Sequence, residues 1–404
     1  MKKDLSKVVA AAAAASMALS CGSFSAMASD SKGSLVVGGV FNTSGQLAAY
    51  DQVAEQGFSL AIDEINANGG AGGYQLDYKM INAQSDAAQN TSAAQKLIDV
   101  EGAVVLAGCC ETDTCTAAAT VAQDAGVPFI TVGATLPDLP ARVGDYFYMA
   151  PYGDNVQAAA IATYAYEELG ARTAYVVWDT TSEYTVALAK YFQETFESLG
   201  GEVVLTDTYD DNGYTDFSSE IAKVQALGEA PDVMCFSSFS TEGPLMLKQF
   251  RAAGIDAPVV SGDGFDDISI PQIAGSACTN VYYSTHVNYD TDSELVQNFV
   301  KKYTDTYGTA PENAFAALGY DTAYLIKTAI ESIDGDVTSE AIRDAISQIQ
   351  GFEGVTGTIS YENGSQIPTK SVTINEFVDG EIKFMQQVGG ESAASETEAE
   401  TEAE

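Results

Sequence analysis

The chain has 404 residues, enough for two or three domains, and 46% of them are hydrophobic, so it can bury sizeable cores. Its formal net charge of -39 repels nucleic acid and anionic lipid surfaces, which argues against both as partners. A single histidine, His286, argues against imidazole-rich metal sites and against a catalytic triad built on histidine.

Residues 1–28 are typical of a secretory signal peptide. Two lysines open the chain, an apolar run covers 8–19, and an Ala-Met-Ala cleavage motif ends at Ala28. The stretch ALSC is a weak match to a bacterial lipidation motif, so a lipid anchor on Cys21 stays open as the alternative. In both cases we expect the mature protein to act outside the cytoplasm, where disulfides persist.

Strand-like and helix-like segments alternate from residue 34 onward. In the first block, apolar runs predict strands at 34–41, 74–83, 103–108 and 127–134, and helical patterns cover 52–70, 86–102 and 114–126. A second block begins after Pro151, with strands predicted at 173–179, 201–210, 231–239 and 257–263 and helices at 155–170, 185–200, 215–228 and 242–254. This alternation predicts an α/β fold with parallel sheets and helices on both faces. Two blocks favour two similar lobes, with ligand bound beyond the carboxyl ends of the strands.

The end of the chain differs from the rest in composition. Residues 391–404 repeat Glu with Ala, Thr and Ser and contain no large apolar side chain. Such a segment cannot bury a core, so we expect a disordered, solvated acidic tail.

Seven segments occur in a fixed order along the chain: AIDEINANGG, DAGVPFITVGATLPDL, DFSSEIAKVQALGEAPDVM, LKQFRAAGI, SGDGF, FAALGYDTAYLIKTAI and FEGVTGTISYENG. Together they are similar to the type I periplasmic binding proteins of ABC importers, in the leucine/isoleucine/valine-binding branch. The resemblance covers Ser34 to Val388 and implies two Rossmann-like lobes joined by a three-segment hinge. Lobe one would be 34–152 plus 286–354, and lobe two 153–285 plus 355–390.

The residues also indicate how a cleft would hold an amino acid. A carboxylate favours hydroxyls and backbone N–H groups at a helix N-terminus, and Thr112 lies at such a strand-to-helix junction. Gly133 and Thr135 follow the next strand. A buried ammonium needs a carboxylate, and Asp263 stands between two glycines after a strand of the second block.

The resemblance implies a ligand-binding role for eight positions. Two departures from the family bear on the ligand: Phe239 lacks the usual tyrosine hydroxyl, and Asp263 is one methylene shorter than the usual glutamate. For His286 we expect a structural or solvent role rather than a ligand contact. The eight expected ligand-binding residues are Tyr50, Thr112, Gly133, Thr135, Tyr184, Phe239, Asp263 and Phe315.

The resemblance implies a solute-binding protein that captures a branched-chain or other small aliphatic amino acid and delivers it to an ABC permease. We expect a monomer that is not an enzyme and uses no cofactor or metal. An extracellular sensing module, a secreted enzyme of related fold, or a binding protein for a small amide or carboxylate remain the alternatives. The glycine-rich stretch 38–45 lacks the spacing and the Lys-Ser/Thr ending of a phosphate-binding loop.

Three cysteines fall within seven residues, at Cys109, Cys110 and Cys115. No second cluster suggests zinc, and the C-x-x-C redox spacing is absent. Two interpretations remain: the thiols pack in the interior, or Cys115 forms a local disulfide with Cys109 or Cys110.

Overall fold

The computed structural model describes residues 32–210 and 213–389. The expected signal peptide, Cys21 and the acidic tail therefore lie outside the described residues. Within those residues the predicted α/β fold with two sheets is confirmed.

The first sheet has five parallel strands in the order β2-β1-β3-β4-β5. Its central strand β3 is buried along its whole length, as expected for a strand covered by helices on both faces. The strands are β1 (Gly33–Phe41), β2 (Tyr74–Asn82), β3 (Val105–Gly108), β4 (Phe129–Thr131) and β5 (Phe147–Met149), and the connecting helices are α1 (Ala48–Ala67), α2 (Ala87–Asp99), α3 (Thr112–Ala125) and α4 (Leu139–Val143).

The ends of these helices follow local chemistry. Asp86 caps α2 by accepting a hydrogen bond from the Gln89 backbone N–H at 2.8 Å. Helix α3 ends at Gly126, whose φ of 66° is the left-handed conformation that glycine adopts without strain.

The second sheet has seven strands in the order β14-β13-β10-β9-β8-β6-β7. A short antiparallel pair, β11 with β12, stands apart from it. The strands are β6 (Thr173–Asp179), β7 (Glu202–Tyr209), β8 (Val233–Ser237), β9 (Val259–Ser261), β10 (Val281–Thr285), β11 (Phe352–Gly354), β12 (Gly357–Ile359), β13 (Val372–Val378) and β14 (Glu381–Val388), and the helices are α5 (Asp154–Glu167), α6 (Glu183–Ser198), α7 (Ser218–Ala226), α8 (Gly243–Ala252), α9 (Ser269–Ala274), α10 (Glu294–Tyr307), α11 (Phe315–Ser332) and α12 (Ser339–Ile346).

The second sheet is mixed rather than wholly parallel. Strand β13 runs antiparallel to β10, and β14 pairs antiparallel with β13. The hairpin turns at Asp379-Gly380, where both residues have positive φ, the conformation of a tight two-residue β-turn. A hairpin of this kind forces its two strands to run in opposite directions.

Within the described ranges, three connections join the first sheet and its helices to the second sheet: after β5, after β10 and before β13. Helices α10, α11 and α12 share a hydrophobic core with α1 and the first sheet, although they follow strand β10 of the second sheet in sequence. The exact bounds of the two lobes stay a prediction. Across the described ranges, no helix combines the length and apolarity that crossing a membrane requires.

Candidate ligand-binding site

A cavity lies where loops after β3 and β4 meet loops after β6, β8 and β9. The carboxyl ends of parallel strands from both sheets therefore face the same space, where ligands bind in open α/β folds. All eight residues expected from the sequence line this one cavity; their contact with a ligand stays a prediction. The lining residues are Tyr50, Cys110, Glu111, Thr112, Gly133, Thr135, Tyr184, Phe239, Asp263, Gly264 and Phe315.

At one end of the cavity, helix α3 begins. The N-cap of α3 is Glu111, whose carboxyl accepts from the Thr114 backbone N–H at 3.0 Å. Thr112 is the first helical residue and is 1% exposed. Its hydroxyl has no hydrogen-bond partner among the described residues. A buried, unpaired hydroxyl at the positive end of a helix is suited to a carboxylate.

Glu111 was not predicted, and its charge state matters because it lines the same end of the cavity. Burial, followed by the neighbouring charge of Asp113, raises the pKa of Glu111. This shift favours the neutral carboxyl, which reduces repulsion of a ligand carboxylate. No local pattern marks it, because glutamate is not a preferred N-cap residue.

The turn after β4 adds the next part of the wall. The Thr131 hydroxyl donates to the Cys109 carbonyl at 2.8 Å and accepts from the Ala134 N–H at 2.9 Å, which fixes the turn. A Cβ at Gly133 would lie 2.7 Å from Cε1 of Phe315, so only glycine fits without displacing that ring. Thr135 follows and is 2% exposed.

The opposite end of the cavity carries Asp263, which begins a 3₁₀ turn after β9 and is 3% exposed. Its Oδ1 accepts from Nε2 of Gln157 at 3.0 Å, and its Oδ2 lies 2.9 Å from Nε2 of His286. The Gln157 side-chain oxygen in turn accepts from the Asp263 backbone N–H at 3.1 Å. The carboxylate is thus held from both sides.

Gln157 was missed as part of the site, whereas His286 was expected to have a structural or solvent role rather than a ligand contact. Gln157 lies 106 residues before Asp263, on helix α5, and no sequence spacing connects the two. His286 is buried behind Asp263 and does not line the cavity.

Aromatic rings form the walls between the two ends. The ring of Phe239 lies 5.9 Å from that of Tyr50 and 5.3 Å from that of Tyr184, and Phe315 meets Tyr50 edge-on at 5.4 Å. The Tyr184 hydroxyl accepts from the Gly264 N–H at 2.9 Å.

Tyr50 also links the two halves of the cleft. Its hydroxyl donates to the Gly264 carbonyl at 2.8 Å and accepts from the Ser240 N–H at 3.0 Å. Tyr50 belongs to helix α1 beside the first sheet, whereas Ser240 and Gly264 follow strands of the second. The structure therefore shows the cleft closed.

The cysteine cluster is present as free thiols. Cys109, Cys110 and Cys115 are buried and unbridged, so the structure shows the packing alternative and not a local disulfide. Burial raises the pKa of all three thiols, which keeps them protonated and unreactive. Only Cys110 of the three lines the cavity. Among the residues that the structure describes, no group of three or more His, Cys, Asp or Glu side chains could hold a metal ion.

Comparisons with known proteins agree with this architecture. The sequence profile of the periplasmic binding protein family matches residues 34–381. The chain is 26% identical over 336 residues to the leucine-, isoleucine-, valine-, threonine- and alanine-binding protein of Pseudomonas aeruginosa, covering 82% of this chain and 87% of that one.

Solved structures show the same likeness. The branched-chain amino acid transporter substrate binding protein LivJ of Streptococcus pneumoniae, in complex with isoleucine, superposes with a TM-score of 0.80 at 29% identity, covering 87% of this chain and 99% of that one. A solute binding protein of R. palustris in complex with benzoate gives a TM-score of 0.77 at 22% identity, covering 89% and 98%, which shows the shared fold alone.

These matches and the two-sheet cleft define a class, the non-enzymatic solute-binding proteins of ABC transporters. The chain belongs to the periplasmic binding protein family, and its fold is that of the type I members such as LivJ.

Proposed function

We propose that this chain captures a small aliphatic amino acid, with leucine, isoleucine and valine as first candidates, and delivers it to the permease of an ABC importer. One observation carries the proposal. The unpaired Thr112 hydroxyl at the positive end of α3 and the Asp263 carboxylate line the same cavity from opposite sheets. A hydroxyl with a helix N-terminus at one end and a carboxylate at the other matches the two charges of a zwitterion.

At the carboxylate end, three features favour an anion. The helix dipole of α3 is positive there, the Thr112 hydroxyl needs a partner, and burial raises the pKa of Glu111 toward the neutral form. Gly133 lets this turn pack closely against Phe315, because a larger residue would collide with that ring.

At the ammonium end, Asp263 supplies the opposite charge. Gln157 and His286 orient the carboxylate, so an incoming ammonium meets a preorganised partner rather than a mobile one. Burial of both charges without water strengthens their attraction.

The aliphatic side chain of the ligand would lie against Phe239, Phe315 and Tyr50. These rings offer an apolar surface, and the absence of a hydroxyl on residue 239 makes that wall less polar than a tyrosine would. Enclosed apolar surface stabilises the complex by about 25 cal/mol per Å² removed from water.

Closure couples the two halves of the site. Because Thr112 and Asp263 come from different sheets, a ligand bridges them only when the cleft is shut, and binding shifts the population toward the closed form. The closed shape is what a permease would recognise. Signal-peptide features at the N-terminus support a location outside the cytoplasm.

A thermal-shift panel tests the proposal. Each of the twenty amino acids, their amides, benzoate, 4-methylpentanoate and simple sugars is added to the purified mature protein. A ligand at 100 times its Kd stabilises the protein by about 2.7 kcal/mol, which is an easily measured rise in Tm. A rise confined to aliphatic amino acids supports the proposal. A rise with carboxylates or amides alone would replace it with one of the alternative ligand classes.

A further inference from the structure

His286 is the only histidine of the chain, and it lies directly behind the Asp263 carboxylate. The imidazole is 2% exposed. It stacks on the ring of Tyr152 with 4.1 Å between ring centroids, and Phe315 meets it edge-on at 6.1 Å. These contacts hold the ring in one orientation, with Nε2 facing Asp263.

The hydrogen bond shows which proton the imidazole carries. An ionised carboxylate only accepts, so Nε2 is the donor to Asp263 Oδ2. Nδ1 has no hydrogen-bond partner within the described residues. Burial lowers the pKa of His286 from 6.5 despite the opposing attraction of Asp263, and Lys370 lowers it further. The neutral form with hydrogen on Nε2 is therefore the state at neutral pH.

We propose that His286 is a positioning residue that sets the charge of the ammonium site. Neutral His286 orients Asp263 and leaves its negative charge for the ligand. Protonated His286 forms an ion pair with Asp263 that cancels this charge, so acidification releases the amino acid. The inference rests on the proposed function, because it takes the ligand to carry an ammonium group.

The direction of the pH effect follows from linkage. A bound ammonium beside Asp263 repels a second positive charge, so the pKa of His286 is lower in the complex than in the free protein. Above the free-protein pKa the affinity is full. As the pH falls through that value, Kd rises until the pKa of the complex is passed. An ordinary coupling of about 5- to 150-fold sets the size of the loss.

Other ionisable groups surround His286, and their effects on the pH dependence of binding must be distinguished from its own. Tyr152 stacks on its ring, and Lys370 lies on the passage before β13. Burial raises the pKa of Asp154 to about 8 and that of Asp266 to about 6. Asp154 reaches Asp263 through the Gln157 amide, which donates to both carboxyls at 2.9 and 3.0 Å. These groups remain when residue 286 is changed, so a difference between wild type and variant isolates the histidine.

The first measurement uses the intact wild-type protein. With one histidine in the chain, the ¹⁵N and ¹³C ring signals of His286 need no assignment by mutation. We expect the Nε2-protonated tautomer at pH 7 and titration below pH 6.5. Saturating L-leucine, or whichever amino acid the panel identifies, should lower that pKa by the logarithm of the coupling factor. An unchanged His286 titration in a protein that binds leucine would overturn the inference.

The second measurement compares Kd between pH 5 and 8 by calorimetry in wild type and His286→Gln. The Gln side chain keeps a donor toward Asp263 but cannot be protonated. With each affinity compared with the same protein's own value at pH 8, we expect the acid-side loss of leucine affinity to shrink or vanish in the variant. An equal loss of leucine affinity at acid pH in both proteins would refute the proposed role of His286. If the variant does not fold, the wild-type titration still decides.

A ligand without the amino group separates this inference from the proposed function. 4-Methylpentanoate, the analogue of leucine that lacks it, should show no His286-dependent acid loss. Failure of every amino acid to bind at any pH would refute the proposed function. If leucine binds but its loss of affinity at acid pH does not depend on His286, only the role of His286 is refuted.

Discussion

Replacing Asp263 by Asn tests the assignment on which the ammonium site depends. The change keeps the size of the side chain and an acceptor for the Gln157 amide but removes the negative charge. Asp263 is 3% exposed, so little water is available to solvate an ammonium left without its partner. Loss of one member of a buried, hydrogen-bonded charge pair costs about 2–5 kcal/mol. This predicts a Kd for leucine weakened by roughly 30-fold to several thousand-fold.

The assay is isothermal calorimetry at pH 8, with melting curves to show that the variant is folded. Asp267→Asn is the matched control, because it removes the same charge from the same loop at a residue that does not line the cavity. We expect the control to bind leucine nearly as wild type does. If Asp263→Asn is folded and binds leucine within threefold of wild type, the ammonium is held elsewhere.

Three further substitutions probe the other walls. Thr112→Val should leave the unfolding free energy unchanged or raised, since the hydroxyl is unpaired in this structure. The same change should weaken leucine binding by about 1.5–3 kcal/mol, and Thr112→Ser should bind leucine as wild type does. If the Val and Ser variants bind leucine equally well, the hydroxyl does not contact the ligand. Tyr50→Phe loses the bonds to Gly264 and Ser240, so small-angle scattering should show a more open protein without leucine and an unchanged one with it. Gly133→Ala should lower both Tm and affinity, with an overpacking cost of about 1–3 kcal/mol against Phe315; an unchanged Tm would show that the ring can move aside.

Much of the fold could be predicted because strands and helices leave different periodicities. The segments from 34 to 263 alternate regularly, and most predicted elements lie within a few residues of the observed ones. Strand β5, which is three residues long, was missed. The antiparallel β13–β14 hairpin departs from the alternation, although its Asp379-Gly380 turn is a recognisable hairpin signal.

Part of the candidate site could likewise be predicted from the sequence, and part of it could not. Residues such as Thr112 and Asp263 could be placed because each follows a strand, where the fold directs side chains toward the cleft. Glu111 escaped notice because its neutral state depends on burial, which no local pattern reports. Gln157 and His286 meet Asp263 only through long-range packing, and such contacts cannot be inferred from a single sequence.

The glycines of the cavity have a consequence for how this protein can change its ligand. A Cβ at Gly262 would lie 2.6 Å from the Tyr184 hydroxyl, and one at Gly264 would lie 2.8 Å from a backbone carbonyl. A Cβ at Gly133 would likewise collide with the Phe315 ring. These three positions therefore keep glycine unless the Tyr184 or Phe315 side chain or the Ser238 backbone moves. Phe239 is half-buried and lies among other rings, where a substitution changes shape without moving the backbone. A library for a fluorescent amino-acid sensor should vary position 239 and leave the glycines intact, since new preferences can arise there in single steps.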